Sequence, residues 1–519
     1  MSAAPVGVRP GTGADTTRRR AWAAVAVLCS ALFLIGLDFT VLNVAIPGLR
    51  ADLGTSLAET QWIVDGYALT LGGCVLAAGT LSDTYGRRRA FVAGLALCAL
   101  ASVAGATGGS AAQLVAARCG MGVGAALFMP ATLSTIVHVL PDATDRRRAI
   151  ALWAAVAGIG ALTGPVLGGR LVQLYEWRAA FWLNVPVAVL VIAAALLVLP
   201  ESRNPVPERL DRLGAVLSCA GLLTLVWAII EAPGRGWTSA PVLLAFLAAA
   251  ALLASFAVWE LRCAAPMVPV GLLRAGPVGP AALSLALMSF AMFGAMFVLT
   301  LYLQQVRGFD AWAAGVRMIP FSAGLAVGAV AAPPVARRFG ARVPVSGGLL
   351  LITSGFGVLA GLRSDSGDAP VLLFQALAGL GSGLVAPVAT EVVMSAVPAA
   401  TAGVGSALND ATRQVGSTLG VAVLGSVLAE NAGEAGPRPG AANLPADAAA
   451  RLADAAEQAR TAFVHGLTAA AWVGGAVALL AAGFAWWRLP AREHLPGPAA
   501  PGAAGVADPV RVLVPEPEY

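Results

Sequence analysis

Apolar stretches of about 20 residues recur fourteen times along this chain, each long enough for a helix to cross the ~30 Å hydrocarbon layer of a bilayer. They run over 22–46, 60–81, 90–108, 112–136, 149–172, 179–199, 212–231, 240–260, 280–303, 315–336, 343–362, 370–394, 403–428 and 462–487. We number these segments 1 to 14. Polar gaps, most of them short, separate the segments, and an even number of crossings puts both termini on one side.

The gaps differ in charge, and that difference sets the side. The chain has no lysine, so all 33 basic residues are arginine. Clusters such as Arg18 to Arg20, Arg87 to Arg89, Arg146 to Arg148 and Arg337 with Arg338 fall in every second gap. With the N-terminus inside, 21 arginines lie inside, nine outside and three within segments (Arg118, Arg170, Arg413). Positive charge stays on the cytoplasmic side, so the sequence predicts a multi-pass plasma-membrane protein with both termini cytoplasmic. The first 20 residues carry charge without an apolar run, and segment 1 holds Asp38 and lacks a cleavage site, so it reads as a spanning helix rather than a removed leader.

Composition agrees. Of 519 residues, 58% are hydrophobic and 12% charged, with a mean hydropathy of +0.79. A water-soluble domain has no means of burying that much apolar sequence. The basic charges are dispersed in short loops, which argues against a nucleic-acid surface. Cys29, Cys74, Cys98, Cys119, Cys219 and Cys263 lie in or at the ends of segments without C-x-x-C spacing and read as small packing residues. Without lysine, no G-x-x-x-x-G-K-[ST] phosphate loop exists. The three histidines form neither an H-E-x-x-H motif nor a Cys/His cluster. The expectation is therefore no enzyme, no metal and no cofactor, but gradient-driven or passive transport.

An internal repeat points the same way. Arg118, Gly122, Gly124 and Pro130 in segment 4 recur as Gln375, Gly379, Gly381 and Pro387 in segment 12, 257 residues on. Gly160 and Gly164 recur as Gly416 and Gly420 after 256, and Tyr85-Gly86-Arg87-Arg88 resembles Phe339-Gly340-Ala341-Arg342 after 254. Two six-helix bundles with two inserted helices fit this arithmetic, an all-α arrangement of fourteen transmembrane helices. The expected units are a cytoplasmic tail over 1–21, a first bundle over 22–199, linker helices 7 and 8 over 200–262, a second bundle over 263–490 with an outer loop at 429–461, and a disordered tail over 491–519. Within the outer loop, Asp447 to Arg460 reads as a short surface helix.

Gly79-x-Leu81-x-Asp83-x-x-Gly86-Arg87-Arg88-Arg89 resembles the loop between helices 2 and 3 of the major facilitator superfamily. Arg118-x-x-Met121-Gly122 is similar to that family's R-x-x-Q-G motif. Gly160-x-x-x-Gly164-Pro165-x-x-Gly168-Gly169 resembles its exporter motif in helix 5. Leu37-Asp38-x-Thr40-x-x-Asn43 and Trp177-Arg178-x-x-Phe181-x-x-Asn184-x-Pro186 are similar to the 14-helix drug:proton antiporters of the EmrB/QacA type. Over about residues 20 to 490, the resemblance implies proton-coupled efflux of drug-like compounds and multidrug or antibiotic resistance. Two departures stand out: Met121 replaces the usual glutamine, and Leu325 stands where relatives with divalent-cation substrates carry an acid.

The residue chemistry is compatible. Asp83 at the end of segment 2 is placed to hold a helix terminus or an arginine in one state and release it in another, whereas arginines alone would suffice as a topological anchor. The small residues of segment 5 permit close helix approach, and Pro165 permits a bend; its counterpart Val421 lacks the proline. An aspartate at a helix centre costs about 2.5 to 3.5 kcal/mol on insertion scales, so Asp38, Asp65 and Asp410, with Arg118, Arg413 and Glu391, are the candidate coupling and substrate groups. Asp38 is the expected principal proton site with Arg118 modulating it; a structural hydrogen bond is the bland alternative. Asp410 and Arg413 are spaced for a local ion pair. Trp62, Asp65 and Tyr67 suggest an acidic, aromatic vestibule for lipophilic cations, although membrane-surface aromatics also serve as belt anchors. The expected partners are a small molecule, protons and lipid, with no nucleic acid, for a protein acting as a monomer. The function expected is export of amphipathic or lipophilic drug-like compounds, cationic ones included. A dedicated exporter of one endogenous metabolite or self-made antibiotic is the alternative, and a non-transporting receptor or scaffold is a remote one.

Overall fold

A computed structural model describes residues 12–140, 142–203, 211–263, 266, 276–395, 402–432 and 446–491. Among these, every regular element is a helix. The first group comprises α1 (Thr12–Leu53), α2 (Leu57–Tyr85), α3 (Arg87–Thr107), α4 (Ala111–Val139), α5 (Ala143–Tyr175), the short α6 (Ala179–Trp182) and α7 (Asn184–Val198). Then come α8 (Arg212–Arg235) and α9 (Ala240–Arg262). The second group is α10 (Val278–Leu301), α11 (Ala311–Val316), α12 (Ile319–Phe339), α13 (Arg342–Ala360), α14 (Asp368–Ser395), α15 (Ala402–Ala432) and α16 (Ala446–Arg488).

Eleven of these helical stretches are long and apolar enough to span a bilayer, and α2, bent by 57° between Leu57–Val75 and Ala77–Tyr85, makes a twelfth. The chain is thus a multi-pass membrane protein. α5 and α15 fall outside that set, α5 with arginines at its start and Arg170 within it, α15 with Asp410 and Arg413. The surface helix expected over Asp447 to Arg460 is instead the first part of α16, which runs unbroken to Arg488. An alanine-rich stretch offers nothing to stop a helix that the following apolar run continues. Residues 492–519 of the expected disordered tail and 433–445 of the expected 429–461 loop lie outside the described residues.

Local chemistry fixes the ends. Ser56 and Glu59 form a reciprocal capping box that starts α2. Gly86 separates α2 from α3 at φ 117°, a conformation that side chains rarely adopt, and a Cβ there would meet the Glu201 carboxylate. Ser110 caps α4, Asp211 caps α8 and Asp310 caps α11, each accepting from the backbone N–H of the third helical residue.

Two large apolar cores form, one from residues between Ala24 and Leu199, the other almost entirely from residues between Val278 and Leu489. The repeat found in the sequence is visible as packing. Gly122 lets α4 approach α2 at Tyr67 and Thr70, and Gly379 lets α14 approach α12 at Phe321. Gly124 abuts Gly94 of α3, as Gly381 abuts Gly348 of α13. Gly160 faces Phe33 of α1, and Gly416 faces Ala286 of α10; Gly164 and Gly420 face Leu37 with Thr40, and Phe290, respectively. At each of these positions a methyl group would collide with neighbouring backbone or with a threonine hydroxyl, so the glycines set the helix spacing.

Candidate functional site

The site lies where the two groups meet. Asp38 on α1 accepts from Arg118 on α4 at 2.6 Å, with side chains 8% and 3% exposed. Its other oxygen accepts from Asn184 Nδ2 of α7 at 2.8 Å, and the same amide reaches Ser102 Oγ of α3 at 3.1 Å. Ser102 in turn lies 3.5 Å from Met121 Sδ, so the departure from the R-x-x-Q-G pattern leaves a weak acceptor in the cluster. Arg118 also donates through Nε to Ile63 O at 3.2 Å and stacks over the Tyr67 ring at 4.4 Å. Helices α1, α4 and α7 thus meet at one carboxylate, and α3 joins through Asn184. The pair expected between Asp38 and Arg118 forms, and Asn184, which the sequence offered only as part of a motif, is its second ligand.

Asp65 differs sharply. It sits on α2, 1% exposed, and neither carboxylate oxygen has a hydrogen-bond partner. It lines a cavity of about 10 Å³ together with Leu42, Asn43, Ala68, Arg118, Phe293 and Ser417, room for roughly one water molecule. The walls come from α1, α2 and α4 on one side and α10 and α15 on the other. The vestibule expected of Trp62, Asp65 and Tyr67 does not form: Tyr67 spends its ring face on Arg118, and Trp62 packs with the Leu69, Val226, Ile229 and Ala422 cluster. Tyr67, two positions on from Asp65, points about 200° round the helix from it, which defeats a reading by sequence proximity.

The remaining acids are more exposed. Asp410 is half-buried and Arg413 exposed on α15, and the expected ion pair between them is absent. Glu391 is exposed near the end of α14, one residue from Thr390, which hydrogen-bonds Asn409 of α15 at 3.1 Å.

At the end carrying the arginine clusters, Asp83 accepts from Arg87 Nε at 2.8 Å across the Gly86 turn, and Arg87 also donates to Ser134 O of α4 at 3.3 Å. Glu201, which no spacing rule had marked, accepts from Arg88 N at 3.1 Å and lies near the Arg88 and Arg89 side chains at 3.8 and 3.7 Å. Arg18 of α1 is paired with Asp145 of α5 at 2.9 Å. Gly79 faces Pro130 of α4. All these contacts stay within the first group.

At the far end, three glutamines reach from one group to the other. Gln61 donates to Val421 O and Ala422 O of α15 at 3.1 and 3.0 Å. Gln304 donates to Val44 O at 3.0 Å, and Gln173 to Asp310 Oδ2 at 2.9 Å. The α5 motif lies at this junction: Gly160, Gly164 and Gly168 face α1, while Gly169 abuts Ala311 and the Pro165 carbonyl abuts Gly315 of α11. Gly72 rests on Gln414, and α2 bends shortly beyond it. The groups are therefore tied at the far end by hydrogen bonds from three neutral amides, two of them to backbone carbonyls and one to a carboxylate.

Two packed groups of membrane helices, with a buried ion pair in the first group beside the seam, make up this multi-pass membrane protein. Residues 28–421 match the model of the Major Facilitator Superfamily, and the chain belongs to that family. It is 34% identical over 526 residues to the tetracenomycin C resistance and export protein of Streptomyces glaucescens, covering 95% of this chain and 97% of that one. It is 33% identical to the multidrug efflux pump LfrA of Mycolicibacterium smegmatis, over 91% and 97% of the two chains. In fold it is similar to an inward-facing, unoccupied bacterial homologue of the human lysosomal transporter Spinster, with a TM-score of 0.60 at 17% identity, covering 93% of this chain and 98% of that one.

Proposed function

We propose that this protein is a proton-driven exporter of amphipathic or lipophilic drug-like compounds, fourteen helices deep in the plasma membrane, with the arginine-rich end and both termini in the cytoplasm. The two core clusters support two six-helix bundles that rock about the seam, with α8 and α9 inserted between them, and a monomer suffices for that motion. The far end is then the outer face, closed by Gln61, Gln173 and Gln304, and this structure is the inward-facing state.

The observation that carries the reading is Asp65. An ionised carboxylate buried without partners costs far more than the ~1–3 kcal/mol of an unsatisfied neutral group. Asp65 therefore enters this state carrying a proton. When the outer end opens, water solvates the side chain and the ion becomes tolerable. Loading from outside favours closure of the α2–α15 seam, one turn below the Gln61 contact, and the inward-facing state exchanges the proton for substrate. Asp38, bonded to Arg118 and Asn184, senses occupancy of the cavity through Arg118. Such coupling requires only that proton and substrate stabilise different states. Asp410 and Glu391, on the wider inner side, are proposed to meet cationic substrate on its way in, and Asp83 to hold Arg87 until the inner end closes.

The test is reconstitution in liposomes with an internal pH dye, an imposed proton gradient, and a panel of lipophilic cations and neutral antibiotics. Compound-dependent proton flux in the wild type that is lost in Asp65→Asn supports the reading. Undiminished flux in Asp65→Asn removes that residue from the path. Because the S. glaucescens relative, matched almost end to end, is named for a single antibiotic, a dedicated exporter is the second reading; flux from one compound alone would select it.

A further inference from the structure

Helix α8 touches both helices of the seam and is held by a different one at each end. Towards the far end it is tied to α15, where Ser426 Oγ donates to Ile229 O at 2.8 Å and Trp237 Nε1 to Glu430 Oε2 at 3.1 Å. Val226, Ile229 and Ile230 fill the groove between Leu69 of α2 and Ala422 of α15. Towards the arginine-rich end it is pressed onto α2. A Cβ added to Gly73 would lie 2.6 Å from Cys219 Sγ, and the thiol of Cys74, the next residue of α2, interacts with that of Cys219. Both cysteines are free and half-buried, next to the bend in α2. The glycine at 73 is what lets the Cys219 sulfur come this close to α2.

We propose that Cys74 and Cys219 are an oxidisable pair whose disulfide straps α8 to α2 and holds the protein in the state described here. With a peroxide as oxidant, one thiolate attacks an oxygen, the O–O bond breaks, and a sulfenic acid and one water result. The second thiol attacks that sulfur, the S–S bond forms, and the second water leaves. Two thiols are oxidised, one peroxide is reduced to two waters, and the thiol protons end in water. Parting α2 from α15 requires α8, which spans both, to follow one and slide on the other. The thiol contact lets α8 slide on α2; a covalent bond forces the rupture onto the α15 contacts. That consequence rests on the rocking motion proposed above, whereas the cross-link does not.

The experiment treats the reconstituted full chain with hydrogen peroxide, then maps peptides under non-reducing conditions and measures export before and after dithiothreitol. We expect a Cys74–Cys219 linked peptide, export slowed at least fivefold, and recovery on reduction. Cys74→Ser and Cys219→Ser, which keep the other four cysteines, should export normally and resist peroxide. Absence of the linked peptide, or a linked peptide with unchanged export, overturns the proposal. Failure of the untreated protein to move any compound would instead count against the transport reading, with the linked peptide still deciding the pair.

Discussion

The two groups of helices share a packing scheme and differ in charge. Gly160 and Gly164 meet α1 as Gly416 and Gly420 meet α10, and the facing residues Phe33 and Ala286, or Leu37 and Phe290, stand 253 positions apart. That register puts Ala291, fully buried, where Asp38 stands, and the repeat puts Gln375, also fully buried, where Arg118 stands. One half holds an ion pair with two polar ligands. The other holds an alanine and an amide whose side-chain nitrogen and oxygen find no partner. Backbone approach depends only on small side chains, so the scaffold can be repeated. A buried charge needs every neighbour to cooperate, so the ionic cluster stands in one copy, beside the seam.

The largest expected effect comes from breaking the charged half. Arg118→Gln, which imports the second half's residue, leaves Asp38 buried without its cation; removing one partner of a buried pair costs about 3–5 kcal/mol. Thermal unfolding in detergent should show a large drop in midpoint, and proton-coupled export should vanish. Making the halves alike, with Asp38→Ala and Arg118→Gln together, should restore most of the stability and none of the export. Recovery of export in the double variant would show that the asymmetry is decorative.

Asp65→Asn separates coupling from folding. The unfolding midpoint should stay within a few degrees of wild type, because a neutral amide replaces a group already proposed to be neutral here, while compound-driven proton flux falls at least tenfold. Next in size are the paired glycines. Gly122→Ala and Gly379→Ala each push a methyl into backbone and should each cost about 1–3 kcal/mol, read as similar falls in unfolding midpoint. Unequal falls would break the packing equivalence. Smaller still, Gln61→Leu removes two neutral hydrogen bonds from the closed end, about 0.5–1.5 kcal/mol each, and should raise the labelling rate of single cysteines placed on the outer faces of α2 and α15. The smallest effect is expected at Gln375→Leu, which replaces an unpartnered buried amide by an apolar group of similar size; stability should be unchanged or slightly raised and export retained.

Much of this was legible in the chain. Hydrophobic runs and the alternation of arginines gave the helices and their order, because the bilayer imposes length and charge rules that act locally. The 254–257 residue offset announced the paired glycines, and Asp38, Arg118 and Gly86 were marked by residue type and spacing. The roles of Asn184, Glu201, Gln61 and Ser417 were not marked, since a neutral side chain or a loop acid gains meaning only from what faces it across the fold. Asp65 was marked as an acid and read as part of an aromatic vestibule, but Tyr67 lies about 200° round the helix from it and packs on Arg118.

Cys74 and Cys219 show the same limit most plainly: on separate segments, with no motif spacing, they met only when α8 settled against α2. The sequence by itself determined a multi-pass helical membrane protein with repeated helix packing and a few costly intramembrane charges, because solvent and backbone sterics act on each segment alone. Only the tertiary structure decided which of those charges is paired and which stands without a partner, for a buried group's energy is set by neighbours hundreds of residues away.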